Sequence, residues 1–152
     1  MNPSPLVERL GLAPHPEGGW YGRIWESPVA LNPHGYPGSR PTATAIHFLL
    51  HPGEESRWHV VRSDELWLWH SGAPLLLRVG GTGDSPGDTV DELVLGADIA
   101  AGEAPARLVP GGTWQSAVAV PGSSTGEPTL VSCVVSPGFD FADFRIADQD
   151  GA

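Results

Sequence analysis

The 152-residue chain contains no lysine, and its eight basic residues are all arginines. Neither Schiff-base catalysis nor a phosphate-binding P-loop is available to it, because both need a lysine amine at a fixed place. Eighteen Asp and Glu residues leave a formal net charge of −10, and no basic stripe runs along the sequence. Nucleic acid is therefore not an expected partner, since binding to a phosphate backbone depends on clustered positive charge.

The chain also has little cysteine and no long apolar run. Its single cysteine, Cys133, cannot form an internal disulfide, so the fold does not depend on an oxidising compartment. No segment approaches the roughly 18 apolar residues of a membrane helix, and the N-terminus lacks the charged-then-apolar pattern of a signal peptide. These absences predict a soluble, cytoplasmic protein with no membrane partner.

Glycine and proline, by contrast, are abundant and determine the spacing of the predicted strands. Twenty glycines and sixteen prolines interrupt the sequence at intervals of about ten residues, which is typical of an all-β sandwich or barrel. Hydrophobic residues make up 40% of the chain and charged residues 17%, the balance of a folded globular protein. No linker divides the sequence, so a single domain is expected over residues 1–152.

Local patterns give the expected elements. Only the N-terminus predicts a helix, which Ser4 caps and in which Pro5 occupies the first turn. The aromatic segment 139–144 is expected to pack back onto the body. Alternation and turn residues predict strands at 20–26, 42–50, 57–61, 65–70, 75–79, 90–95, 106–109, 114–120 and 129–135.

Polar residues are concentrated on two of these neighbouring strands. Side chains alternate between the two faces of a strand, so we expect Arg57 and His59 on one face and Ser56 and Trp58 on the other. In the next strand, Glu65 shares a face with the tryptophans that follow at every second position. A histidine and a carboxylate are thus expected close together on adjacent strands.

The spacing of these residues resembles the two sequence motifs of the cupin superfamily. The first motif is a histidine, a glutamate six residues later and a glycine seven residues beyond, here His59, Glu65 and Gly72. The segment 110–115 resembles the start of the second motif. Its last position is usually a metal-binding histidine, whereas this chain has Gln115.

Four further segments resemble a narrower group, the single-domain cupin-like proteins of unknown function called cupin family five. They are 15–19, 56–59, 64–67 and 135–141, and the resemblance extends from about residue 10 to residue 144. It implies an all-β fold, the double-stranded β-helix or jelly-roll barrel, with a pocket inside the wider end and a homodimeric assembly. It supplies no established reaction, and likeness to the sugar-nucleotide epimerases of the superfamily is an analogy of fold.

The departures from the general cupin pattern bear on whether this chain binds a metal. Metal-binding cupins offer two closely spaced histidines, a glutamate and a later histidine. Here the position two before His59 is Arg57, which cannot ligate, and the later position is Gln115, a weak neutral donor. We therefore expect no metal cofactor. The alternative is a dioxygenase or lyase in which His59, Glu65 and Gln115 hold one divalent transition metal.

Without a metal, His59 and Glu65 are candidate catalytic residues for proton transfer, since a histidine titrates near neutrality and a carboxylate beside it orients the ring. Tyr21 is the candidate second acid. The predicted function is binding of a sugar-like or polar metabolite, with metal-independent isomerisation or epimerisation as the reaction. Two alternatives remain open: a non-catalytic ligand sensor, and a purely structural His–Glu pair. The candidate ligand-binding residues are Gln115, Arg23, placed to meet an anionic group, and Glu17, placed to reach over the barrel mouth.

Overall fold

The computed structural model describes residues 2–120, 122–123 and 126–147, and nearly all regular structure in these ranges is β-strand. One short α-helix precedes the strands. The predicted all-β class with an N-terminal helix is therefore confirmed. The single-domain prediction over residues 1–152 includes positions outside the described residues, namely 1, 121, 124–125 and 148–152, and it stays a prediction.

Helix α1, Pro5–Arg9, forms as its capping residues predict. The Ser4 hydroxyl accepts a hydrogen bond from the Leu6 backbone N–H at 3.2 Å, and proline occupies the first turn. Gly11, with a φ of +65°, takes the left-handed conformation that lets the chain turn away. Within the described ranges no helix combines the length and the apolar character that crossing a membrane requires.

All nine predicted strands are present, and none of their ends differs from the prediction by more than two residues. The structure adds four short strands and two 3₁₀ turns, Ile99–Ala101 and Phe141–Asp143. In chain order the strands are β1 Ala13–Pro14, β2 Trp20–Glu26, β3 Ala30–Leu31, β4 Arg40–Pro41, β5 Thr44–Leu50, β6 Glu55–Val61, β7 Asp64–Ser71, β8 Leu75–Val79, β9 Asp91–Leu95, β10 Ala106–Val109, β11 Trp114–Ala119, β12 Thr129–Ser136 and β13 Phe144–Ile146.

The strands form two main antiparallel sheets. One has the order β1-β2-β5-β12-β7-β10 and the other the order β13-β6-β11-β8-β9, while β3 and β4 pair separately. Buried side chains from both sheets meet in one cluster that includes Phe48 and Trp67 from the first sheet and Leu77 and Ala117 from the second. The sheets therefore pack face to face around a common interior.

Along the central strands, the inward-facing positions change character from one end of the barrel to the other. In β5, Leu50 and Phe48 belong to the apolar core, whereas Ile46 and Thr44, further toward the N-terminal end of the strand, line a cavity. The same change occurs in the neighbouring strand β12, from Val131 in the core to residues that line the cavity. One end of the barrel is filled with side chains and the other is open.

A buried ion pair fastens the C-terminal segment beside this open end. Arg40 donates to both carboxylate oxygens of Asp143, at 2.8 and 3.0 Å, and Arg62 adds a third hydrogen bond at 3.1 Å. These guanidinium groups lower the pKa of Asp143. Strand β13 follows directly and pairs with β6. The expectation that the aromatic segment 139–144 packs back onto the body is confirmed.

Candidate functional site

The open end of the barrel contains a cavity of about 690 Å³. Five of the six site residues expected from the sequence line it, and the sixth lies behind its wall. The lining ones are Glu17, Tyr21, Arg23, His59 and Glu65, and the sixth is Gln115.

The loop between β1 and β2 carries Glu17 into the interior of the barrel, where its side chain is 9% exposed. The Ser56 hydroxyl donates a hydrogen bond to one carboxyl oxygen, Oε2, and this oxygen lies 3.3 Å from Nδ1 of His59. The other oxygen, Oε1, lies 3.2 Å from Nδ1 of His15. Glu17 thus lies between two imidazoles inside the cavity.

An irregularity in β6 brings Ser56 to this position. In the pairing with β11, His59 lies opposite Gln115 and Ser56 lies opposite Ala117, so three steps along β6 match two along β11. Such a β-bulge shifts the alternation of side chains by one residue. Ser56 and His59 therefore share the inner face. The expectation that Ser56 faces away from His59 is wrong, because simple alternation does not account for a bulge.

Burial determines the protonation states of Glu17 and of His15 beside it. Removal from water raises the pKa of Glu17 to about 8, although the Ser56 hydrogen bond and the charge of Arg57 oppose the shift. Burial and the neighbouring His59 lower the pKa of His15 to about 4. The Glu17 backbone N–H also donates to Nδ1 of His15 at 3.1 Å. At neutral pH Glu17 is therefore a neutral acid, and His15 is a neutral imidazole protonated on Nε2.

His59 is held in a defined orientation by the backbone. Its Nδ1 lies 2.7 Å from the carbonyl oxygen of Arg57, so Nδ1 carries the proton and Nε2 is the basic nitrogen of the neutral ring. Burial lowers the pKa of His59, while the charge of Glu65 and the Arg57 carbonyl act in the opposite direction. The ring is 1% exposed and lines the cavity.

Glu65 is the second buried carboxyl of the cavity. Burial raises its pKa to about 7, against the opposing effect of His59, and the charge of Glu17 raises it further. Hydrogen bonds from Gln115 and Cys133 favour the ionised form. Glu65 therefore exchanges its proton close to neutral pH, below the pKa of Glu17.

The position of Gln115 decides whether these residues fit a metal. Its amide nitrogen donates to Glu65 at 2.7 Å, and its amide oxygen accepts from the Trp67 indole at 2.8 Å. The oxygen that would ligate is therefore already bonded to Trp67. In the described part of the chain, no three His, Cys, Asp or Glu side chains form a group suited to a metal. The donor set of His59, Glu65 and Gln115 does not fit a transition-metal site.

The mouth of the cavity is aromatic. The Tyr21 ring packs edge-on against His15, with ring centroids 4.4 Å apart. Phe139 and Phe141 line the cavity and contact each other in a T-shaped arrangement, with centroids 4.9 Å apart. Arg23 lies at the rim, where its guanidinium donates to Glu26 at 2.9 Å.

Sequence reasoning did not identify several lining residues. His15 lies two positions from Glu17 in the same motif, which was a usable signal. Cys133 is buried, and burial raises the pKa of its thiol, but it also lines the cavity. Its position between Val131 and Val135 on the inner face of β12 could have indicated this.

The raised pKa of the buried Glu17 carboxyl predicts how the stability of the protein depends on pH. Its folded-state pKa of about 8 lies above the ordinary 4.5, so the folded protein holds this proton more tightly and loses stability as the pH rises between these values. A Glu17→Gln variant keeps a neutral side chain at every pH. We expect its melting temperature to fall less than that of wild type between about pH 5 and about pH 9.

Thermal unfolding of both proteins across this range checks the prediction. Glu55→Gln, which changes an exposed carboxyl at the start of β6, is the matched control and should follow wild type. A Glu17→Gln variant with the same pH dependence as wild type would contradict the assignment of a buried, protonated carboxyl.

Two antiparallel sheets closed around a cavity, with the polar site on their inner faces, define a double-stranded β-helix barrel. The chain belongs to the family described as Cupin superfamily (DUF985), whose profile matches residues 4–147. The resemblance found in the sequence motifs is thereby confirmed.

Similar proteins support this assignment. A hypothetical protein from Leishmania major has 33% identity and a TM-score of 0.86, with 95% of this chain and 86% of that chain covered. Protein SO0799 from Shewanella oneidensis has 33% identity and a TM-score of 0.82, with 99% of this chain and 87% of that chain covered. Uncharacterized protein YML079W of Saccharomyces cerevisiae is 27% identical over 148 residues, 91% of this chain and 71% of the yeast protein.

More distant structures share the fold with this chain. Oxalate oxidase in complex with the substrate analogue glycolate has 15% identity and a TM-score of 0.52, covering 69% of this chain and 46% of that one. At this identity the likeness is one of fold and carries no reaction to the present chain.

Proposed function

We propose that the cavity binds a small polar, sugar-like metabolite and that the protein acts on it as a metal-independent isomerase or epimerase. The observation that carries the proposal is the pair of buried carboxyls, Glu17 and Glu65, which line one cavity and have pKa values of about 8 and about 7. Two titratable groups that hold different protonation states at the same pH are the equipment of acid–base catalysis.

In the proposed reaction Glu65 is the base. Its ionised form takes a proton from a carbon atom next to a substrate carbonyl, and the hydrogen bonds from Gln115 and Cys133 hold the carboxylate in place. A pKa near the working pH gives a base that is largely unprotonated and still accepts a proton readily.

Glu17 is the proposed acid that acts on the carbonyl oxygen. It donates its proton as the carbon proton leaves, so the intermediate is a neutral enediol and no buried negative charge accumulates. Ser56 and His15 position the carboxyl by direct contact. His59, whose Nε2 is the basic nitrogen of a neutral ring, is the proposed relay of the proton between oxygens.

The last step returns a proton to carbon. If Glu65 returns the proton to the neighbouring carbon and Glu17 takes the proton of the other oxygen, the reaction is an isomerisation. Return to the same carbon from the opposite face completes an epimerisation, for which Tyr21 at the cavity mouth is the proposed second acid. The isomerisation leaves both carboxyls in their starting protonation states. After an epimerisation Glu65 holds the proton taken from carbon and Tyr21 has given one up, so exchange of these protons with solvent precedes the next turnover.

Deuterium exchange tests the proposal. The protein is incubated in D₂O with a panel of aldoses, ketoses, amino sugars and uronic acids, and NMR follows the signal of the hydrogen next to the carbonyl. Protein-dependent loss of that signal is expected, with kcat/KM highest between pH about 7 and about 8, where Glu65 is ionised and Glu17 protonated. Binding without exchange would contradict the reaction and favour a sensor. Loss of exchange on chelation, restored by a divalent metal, would contradict metal independence.

A further inference from the structure

The charged side chains that line the cavity are mostly acidic. Glu17, Glu65 and Asp140 are among the lining residues, and the only basic side chain of fixed charge in the described lining is Arg23. Arg23 lies at the rim, 41% exposed, and forms an ion pair with Glu26 at 2.9 Å. The guanidinium of Arg23 therefore already has a carboxylate partner outside the cavity.

The two buried carboxyls have no arginine partner. Among the described residues, the Glu17 carboxyl contacts the rings of His15 and His59, at 3.2 and 3.3 Å, and no ion pair involves Glu65. Arg57, which lies beside Glu17, donates to backbone carbonyl oxygens rather than to the carboxyl. Ionised groups inside proteins are normally paired. Glu65 has no such pair among the described residues, and Glu17 has only the nearby charge of Arg57, which does not hydrogen-bond to the carboxyl.

Aromatic rings form another part of the cavity lining. Tyr21, Phe139 and Phe141 line it, and Phe141 is 49% exposed although it is large and apolar. The face of an aromatic ring attracts an organic cation, and the attraction grows when the pair is shielded from water. The cavity thus combines aromatic walls with two carboxyls to which no described arginine donates a hydrogen bond.

We infer that the ligand of this cavity is an organic cation, a protonated or quaternary amine, whose positive group lies between the aromatic mouth and the carboxyls of Glu17 and Glu65. This names the substrate class of the proposed function and rests on the same cavity, though not on the proton-transfer step. A bare metal ion does not satisfy the arrangement, because the described residues provide no three-ligand group and a metal would make no use of the aromatic walls.

Binding of such a cation is coupled to release of protons. A cation stabilises the ionised carboxyls, so affinity rises with pH as Glu17 and Glu65 lose their protons. Other titratable, charged or hydrogen-bonding groups also face the carboxyls or lie nearer the rim. They are His15, His59, Ser56, Arg57, Gln115 and Cys133 around the carboxyls, with Tyr21, Arg23 and Asp140 nearer the rim.

Calorimetric titration of the full-length chain with matched probes tests the inference. Choline and 3,3-dimethylbutan-1-ol have the same shape and differ in one permanent charge, while glucosamine, glucose and glucuronate vary the charge on a sugar ring. At pH about 8.5 we expect choline, whose charge is permanent, to bind about tenfold more tightly than its neutral counterpart. The affinity for choline, which does not itself titrate, should fall about tenfold at pH about 6.

Two substitutions test separately how the carboxyls and the rim contribute to cation binding. Glu65→Gln keeps the shape of the side chain and removes its charge, so it should reduce the affinity for the cation about tenfold and leave that for the neutral isostere unchanged. Glu26→Gln alters the partner of Arg23 outside the cavity and should not weaken cation binding.

Three results would overturn the inference: equal affinity for cation and neutral isostere, tightest binding of glucuronate, or no binding of either cation at about 10 mM. Glucuronate binding would point instead to Arg23 as the anchor of an anionic group. The outcome is independent of the deuterium experiment. Exchange without cation preference overturns this inference alone, and cation binding without exchange overturns the proposed reaction alone.

Discussion

A Glu65→Gln variant should lose between about a hundredfold and ten-thousandfold of the protein-dependent rate of deuterium exchange, the range expected when a general base is removed. Glutamine has the size of glutamate but its amide cannot take a proton from carbon. Its oxygen can still accept the hydrogen bond that Gln115 donates to Oε1 of Glu65 in wild type. The fold should therefore remain while the chemistry is lost.

The exchange rate and the melting temperature, measured on the same preparations, check this prediction. Glu55→Gln removes an exposed carboxyl and should leave the rate unchanged. The limb of the pH–rate profile near pH 7 should disappear with Glu65, because that limb reports its ionisation. If the Glu65→Gln variant exchanges deuterium at the wild-type rate, the base is a different residue.

The strands were predictable because local chemistry marks their ends. Glycine and proline occupy the turns, and central strands such as β5 and β12 are short runs of mostly buried residues between them. What the sequence did not indicate were strands of two or three residues, such as β1 and β13. Their pairing depends on contacts with distant segments, and they are too short to show a period.

The site was predictable in part for a similar reason. His59 and Glu65 lie on adjacent strands at a spacing that resembles a known motif, and both line the cavity. Ser56 was placed on the wrong face because a β-bulge leaves no mark in the alternation. The neighbours of Gln115 could not be foreseen either, since Trp67 lies 48 residues away along the chain.

The loop that carries Glu17 illustrates how a local backbone requirement positions a distant functional group. The Arg57 backbone N–H donates to the Glu17 carbonyl at 2.8 Å, so the loop lies directly against β6. Gly18 follows Glu17 and has a φ of +109°, in the left-handed region. A Cβ atom on Gly18 would lie 2.1 Å from the backbone oxygen of Glu55. The close approach that brings the carboxyl into the cavity therefore depends on the absence of a side chain.

A Gly18→Ala variant should consequently lose about 3 kcal/mol of stability, since the strain of a left-handed alanine adds to a clash with backbone that no side-chain rotation relieves. Gly53→Ala is the matched control: its φ is +84°, but its Cβ would meet nothing within 4 Å. The control should lose only about 1 kcal/mol. Urea unfolding of both variants, compared with wild type, measures the difference. Equal losses would show that the contact with Glu55 is readily relieved, and that the position of Glu17 does not depend on a glycine beside it.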